Sequence, residues 1–265
     1  MGRLVVLLYR PGMPDQTVTW GVLPQGCLER VVVCSPHFDD AALGAAYLLL
    51  AHPGSTVITV FGGPPRAYPD PPSEWDALGG FQSGDDVVAR RREEDRAAMD
   101  VLGAHPHWLD FADHQYLAPD ERASAKEVAV ELEAAIDGLD PTAVFLPMGL
   151  ANPDHVVTHE AGAILATRRD DIAWFCYEDS GYKHIPGMLA WRISKLFASD
   201  LWPTPMSVPN TIDVDTKRAA IECYTSQLAP LNRDHALAAR IGGDVPEQHW
   251  ALAPPPKGWG RMRDM

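Results

Sequence analysis

The sequence predicts a single α/β domain over residues 1–265, a Rossmann-like, doubly wound and mostly parallel sheet. Two observations carry this expectation. Short β-branched runs alternate with stretches of helical period, the pattern of a parallel sheet covered by helices on both faces. No internal repeat and no polar linker divides the chain, and 265 residues suffice for one well-buried core.

Each element has its own signal. Residues 30–34 (RVVVC) form the first strand, stopped by Ser35-Pro36. The small-residue and leucine-rich stretch 41–52 reads as one helix closed by Pro53-Gly54, and 57–61 (VITVF) as the second strand. Residues 64–84 hold five prolines and Trp75, so they read as a long loop of the kind that forms lids and binding rims. Val87–Leu102 is a charged helix with Gly103 as its stop. Beyond it, 108–111 reads as a short strand, 123–136 as an amphipathic helix and 143–147 (AVFLP) as a buried strand. A helix over 158–167, a strand over 172–177 and late helices over 216–227 and 233–241 follow, with an irregular tail from Pro254.

A formal net charge of -14 argues against a nucleic-acid backbone or an anionic membrane surface as partner. The longest early apolar run, residues 4–9, is too short for a signal-peptide core or a membrane span, so a cytoplasmic location is expected. Cys27, Cys34, Cys176 and Cys223 are scattered with no Cys-x-x-Cys pair, which disfavours disulfides and a thiolate zinc site. Cys34, inside the first strand, reads as a small buried hydrophobe.

In a doubly wound sheet the ligand sits beyond the C-terminal ends of the strands. Two polar clusters occupy such places. The first, Ser35-Pro36-His37-Phe38-Asp39-Asp40, offers an imidazole and carboxylates, donors that suit zinc. Adjacent aspartates diverge, so one can bind metal while the other faces the attacking water; either can instead cap the next helix. The second cluster, Asn152-Pro153-Asp154-His155, follows the AVFLP strand, and His155 can supply a third ligand. His159 lies four residues on, but without a His-Glu-x-x-His arrangement it reads as a structural histidine. No Gly-x-Gly-x-x-Gly follows the first strand, which disfavours a dinucleotide.

Taken in order, these motifs resemble the GlcNAc-phosphatidylinositol de-N-acetylase-like family, the PIG-L/LmbE group. His37-Phe38-Asp39-Asp40 resembles its His-Pro-Asp-Asp motif and Asn152-Pro153-Asp154-His155 its His-Pro-Asp-His motif. Residues 91–103 (RREEDRAAMDVLG), Tyr177-Glu178-Asp179 with Tyr182, and Lys217 through Tyr224-Thr225-Ser226-Gln227 resemble three further blocks, so the likeness runs from about 30 to 232. It implies one zinc ion per chain held by His37, Asp40 and His155, with Asp39 as general base. The Ser-Pro-His-x-Asp-Asp form, with Phe81-Gln82-Ser83, looks most like an actinobacterial branch that deacylates antibiotic glycosides. The implied reaction is removal of an acetyl or other acyl group from a small-molecule N-acyl amino sugar.

The chain departs from the family at Asn152, where a histidine is usual, and at Leu150, a position often polar or aromatic. Asparagine can donate a hydrogen bond to the oxyanion but cannot supply a proton, so Asp39 or His114 is the expected donor to the leaving nitrogen. The departure also admits an amino-sugar-binding module without turnover. Arg91 is expected either at the substrate or in an ion pair with a carboxylate such as Glu94. Trp75 and Tyr68, in the proline-rich loop, are expected either to stack on the substrate or to anchor the loop.

Overall fold

A computed structural model describes residue 23 and residues 26–237 and 247–253. The apolar run at 4–9, the end of the helix expected over 233–241 and the tail from Pro254 lie outside the described residues.

Among the described residues seven strands form one sheet: β1 (Val31–Ser35), β2 (Thr56–Thr59), β3 (His105–Trp108), β4 (Ala143–Pro147), β5 (Ala173–Tyr177), β6 (Trp202–Met206) and β7 (His249–Ala253). Their order is β3-β2-β1-β4-β5-β7-β6. The first five are parallel, whereas β7 runs antiparallel to both β5 and β6. The chain thus moves outward from β1 in one direction through β2 and β3, then returns to β1's other side through β4 and β5. The crevice where that direction reverses lies between β1 and β4.

Strand alternation divides the core in two. Val31, Val33, Val57, Phe145 and Phe175 face α1 (Asp40–Gly44), α2 (Ala46–Ala51), α4 (Val87–Leu102) and α8 (Val214–Glu222). Val32, Cys34, Ile58, Val144, Leu146 and Trp174 face α5 (Ala125–Leu139), α6 (Pro153–Ala166) and α7 (Met188–Ala198). A Leu side chain buried this way contributes about 1.5–3 kcal/mol. Among the described residues no helix is long and apolar enough to cross a membrane.

Several elements differ from expectation for identifiable reasons. The helix expected over 41–52 is two helices, broken at Ala45 (φ -141°), and beside the break Gly44 packs against the Tyr177 ring so closely that a Cβ there would lie 2.6 Å from it. The Leu43 carbonyl released at the break accepts from Lys217 Nζ (2.9 Å) and Ser180 Oγ (2.8 Å). The proline-rich loop contains α3 (Glu74–Leu78), capped by Ser73. β3 ends where the strand at 108–111 was expected to begin; with Pro106 inside it and His105 and His107 exposed, it has the composition of an edge strand. β6 (WPTPM) is an edge strand for the same reason.

α6 starts at Pro153 rather than 158, with Asn152 as N-cap and proline at the first position, where its missing N–H costs nothing. The single helix expected over 216–227 breaks at Cys223-Tyr224 into α8 and α9 (Thr225–His235). α9 is capped from a distance: Glu94 accepts from the Ser226 N–H (2.9 Å), Ser226 Oγ (2.7 Å) and Thr225 Oγ1 (2.6 Å).

Candidate active site

The β1–α1 turn is stapled by Ser35, whose hydroxyl donates to the His37 carbonyl (2.5 Å) and accepts from the Ala41 N–H (3.0 Å). Phe38 is buried on the core side. Asp39 occupies the N-cap position of α1 but its side chain makes no capping bond, and it lines the cleft instead. Asp40 turns back: its Oδ2 accepts the His37 N–H (2.9 Å) and lies 3.2 Å from His37 Nδ1 and 3.2 Å from His155 Nε2.

His155 arrives on the first turn of α6, aimed by a β4–α6 loop with Gly149 and Ala151 in the left-handed region. At Gly149 a Cβ would meet the Cβ of His159 at 2.5 Å, so only glycine lets the loop pack there. His37, Asp40 and His155 each place one donor atom within 4.8 Å of the others. Behind each imidazole stands a carboxylate. His37 Nε2 donates to Asp154 Oδ2 (3.0 Å), and His155 Nδ1 to Asp179 Oδ1 (2.5 Å). Asp179 is fixed in turn by the Leu150 N–H (3.2 Å).

The electrostatics mark where a cation fits. Burial works against protonation of both rings, but Asp154 and Asp40 outweigh it and hold His37 well above its ordinary value. Asp40 and Asp179 likewise lift His155 to about 9. Burial opposes ionisation of Asp40 too, yet His155 and His37 hold it well below the carboxylate range. Two imidazoles that retain protons around one ionised carboxylate are a site that favours positive charge, and a divalent ion held there would displace those protons. The donor set of two nitrogens and one oxygen, with outer carboxylates orienting both rings, fits zinc. Asp39 is pushed up to about 7 by burial and then by the charge of Asp40.

On the other side of His37, Asp113, His114 and Asp154 converge with its Nε2 into a second group. His114 reaches Asp154 Oδ2 through both its backbone N–H (3.0 Å) and its ring Nδ1 (3.0 Å). Hydrogen bonds to Asp113 and Asp154 raise His114 to about 9, leaving it cationic near neutrality.

The cleft encloses about 280 Å³ and takes in Trp75, Arg91, His114, Asn152, Tyr182 and His235 besides the aspartates. Arg91 is buried in an ion pair with a carboxylate, that of Asp76 (2.8 Å), while Glu94 accepts from α9. The Trp75 indole N–H donates to Gln227 (2.9 Å), tying the proline-rich loop to α9. Tyr68 does not line the cleft; its hydroxyl accepts from the Val88 N–H (3.0 Å) and donates to Asp86 (2.9 Å), clamping the loop to the start of α4. Asn152 Oδ1 caps α6 by accepting the Asp154 N–H (2.8 Å), and its Nδ2 donates to the Tyr182 hydroxyl (3.4 Å). His159 donates to the Pro147 carbonyl (2.8 Å) away from this group.

Roles for Asp113, Asp154, Asp179, Tyr182 and His235 were not expected from sequence. Asp179 lies two residues beyond the end of β5, so the strand-end rule applied to a third strand points to its neighbourhood. Asp113 follows an edge strand with little apolar signal, and His235 ends a helix far along the chain.

The family model for GlcNAc-PI de-N-acetylases (PIG-L) matches residues 32–166, 135 of the 265 in the chain. The chain belongs to the PIG-L family. Three solved structures extend this likeness beyond the matched segment. A deacetylase triple mutant (Orf2*T) of the teicoplanin biosynthetic pathway shares 26% identity, with a TM-score of 0.67 over 86% of this chain and 100% of that one. The A40926 pseudoaglycone deacetylase Dbv21 shares 26%, with a TM-score of 0.65 over 85% and 98%. A zinc-inhibited form of teicoplanin deacetylase Orf2 shares 25%, with a TM-score of 0.66 over 86% and 100%. No curated protein matches the chain by sequence. This PIG-L protein is therefore a hydrolase of the N-deacetylase class, and zinc is the metal of its family.

Proposed function

We propose that this PIG-L protein removes the N-acetyl group of an amino sugar carried on a natural-product glycoside, with zinc held by His37, Asp40 and His155. The observation that carries the reading is the convergence of those three side chains, each ring backed by a carboxylate, at the crevice between β1 and β4. The resemblance to deacetylases of teicoplanin and A40926 supports the glycoside class. When bound, zinc supplies a Lewis acid for the amide carbonyl and generates a nucleophile from water near neutral pH.

The chain's own residues do the rest. Asp39, buried at the cleft and free of capping duty, accepts the proton of the attacking water. As the carbon–nitrogen bond breaks, the leaving nitrogen takes a proton from Asp39 or from His114, which Asp113 and Asp154 keep charged. The products are acetate and the free amine of the sugar. Arg91, held on Asp76, and the Trp75 ring face the sugar, while Tyr68 fixes the loop that carries Trp75.

A mass-spectrometric screen of N-acetyl amino-sugar glycosides with zinc-loaded protein tests this. The expected result is acetate release with formation of the amine. Full zinc occupancy with no acetate from any of them overturns it. Because Asn152 is committed to a helix cap, a second reading is a sugar-binding module; tight glycoside binding without acetate release selects that one.

A further inference from the structure

Asn152 stands at the mouth of the metal-binding group, yet its side chain is spent on the protein. Its Oδ1 is consumed by the Asp154 N–H, and its Nδ2 is directed to the oxygen of Tyr182. It therefore has no clear path to an oxyanion in the cleft. Its effect falls on Tyr182. A phenol that accepts an N–H on one lone pair must point its own O–H elsewhere.

Tyr182 is built into the cleft wall. Its backbone N–H donates to the Asp179 carbonyl (3.0 Å), so the turn that supplies the carboxylate behind His155 also positions this ring. The ring stands edge-on to His155 with centroids 5.0 Å apart, and edge-on to His235 on another side, also at 5.0 Å. Both flanking imidazoles line the same cleft, as does Tyr182 itself. Clamped between them, the ring has little rotational freedom, which lets its donor be preorganised rather than recruited during reaction.

Building on the deacetylase reading above, we infer that Tyr182 is a catalytic residue: its hydroxyl, aimed by Asn152, donates the hydrogen bond that stabilises the tetrahedral oxyanion. No covalent step is added. The phenol keeps its proton throughout and releases the bond when the carbonyl reforms in acetate. Asn152 is a positioning residue that acts through it.

The test uses full-length, zinc-loaded protein and three variants: Tyr182→Phe, Asn152→Asp and the double variant. Asn152→Asp retains an oxygen for the α6 cap but presents an acceptor to Tyr182, turning its O–H away from the cleft. Each single variant should keep its zinc by elemental analysis and keep KM within about threefold, while kcat falls about 10²-fold, the scale of one lost oxyanion donor. The double variant should be no worse than Tyr182→Phe. A methylphosphonamidate of the amino sugar, which mimics the tetrahedral state, should bind Tyr182→Phe about 10²-fold more weakly by calorimetry. Tyr182→Phe with wild-type kcat and wild-type analogue affinity overturns the inference, as does a loss confined to zinc content. Additive losses in the double variant remove the coupling to Asn152. A wild-type protein that neither releases acetate nor binds the analogue overturns the deacetylase reading and this inference with it.

Discussion

Asp154 and Asp179 sit behind the imidazoles of the proposed ligand set, and each fixes a ring through one N–H, so under that proposal their loss should act on metal affinity without removing a ligand. Asp154→Asn and Asp179→Asn should each weaken zinc binding 10- to 100-fold, read by competition with a chelator. Alanine at His37, Asp40 or His155 should abolish stoichiometric zinc, whereas Asp39→Asn should keep it and lose about 10²-fold or more in turnover. Zinc retained by Asp40→Ala but lost by Asp39→Asn would reverse the roles of the two aspartates. The adjacent pair is legible in sequence because it follows a strand of the core, and so is His155. The division of labour proposed for the aspartates is implied by resemblance at the sequence level and supported by geometry: one carboxylate folds back onto the His37 N–H while the other makes no cap. What Asn152 does was not legible. A cap is a plain reading of Asn-Pro, but that its Nδ2 meets Tyr182 depends on a contact 30 residues away.

At the scale of elements, β1, β2, β4 and β5 are legible because strands buried on both faces are nearly pure apolar runs. β3, β6 and β7 are not, because edge or antiparallel strands mix proline, histidine and tryptophan into patterns that short apolar runs do not single out. The break between α8 and α9 is also tertiary in origin. Tyr224 donates to Asp95 (2.8 Å) and Glu94 caps the new helix, so two acids of α4 dictate where a distant helix begins. Glu94→Ala should therefore cost about 2–4 kcal/mol in a denaturant titration, since it strands the N–H and hydroxyl of buried Ser226 together with the hydroxyl of exposed Thr225. Because α9 presents Gln227, Leu231 and His235 to the cleft, KM should rise while zinc content stays at one per chain. A variant with unchanged stability would show that α9 is held by its apolar face alone.

For the molecule as a whole, part of the acid sensitivity comes from two buried imidazoles, His249 on β7 and His159 one turn beyond His155 on α6. Burial, with the charge of Lys217, lowers His249 from 6.5 to about 4, and burial with Arg192 lowers His159 from 6.5 to about 3. Both are neutral when folded and take up a proton when unfolded, so below pH 6.5 the unfolded chain binds more protons and stability falls as pH falls. For His249 the loss is complete near pH 4 and amounts to roughly 3 kcal/mol. His249→Asn should flatten the dependence of unfolding free energy on pH across that window; an unchanged slope would place the sensitivity elsewhere. His249 opens β7, and the position of that strand has a consequence for how the molecule is made. Among the described residues β6 pairs with β7 and with no other strand, and β7 lies between β6 and β5. On the ribosome, therefore, the five parallel strands can assemble while residues 202–206 wait, fully translated, for a mate that emerges more than 40 residues later. Nascent chains arrested before residue 249 should carry an open β5 edge and recruit chaperones, and release of the last strand should end that dependence at a single point in synthesis.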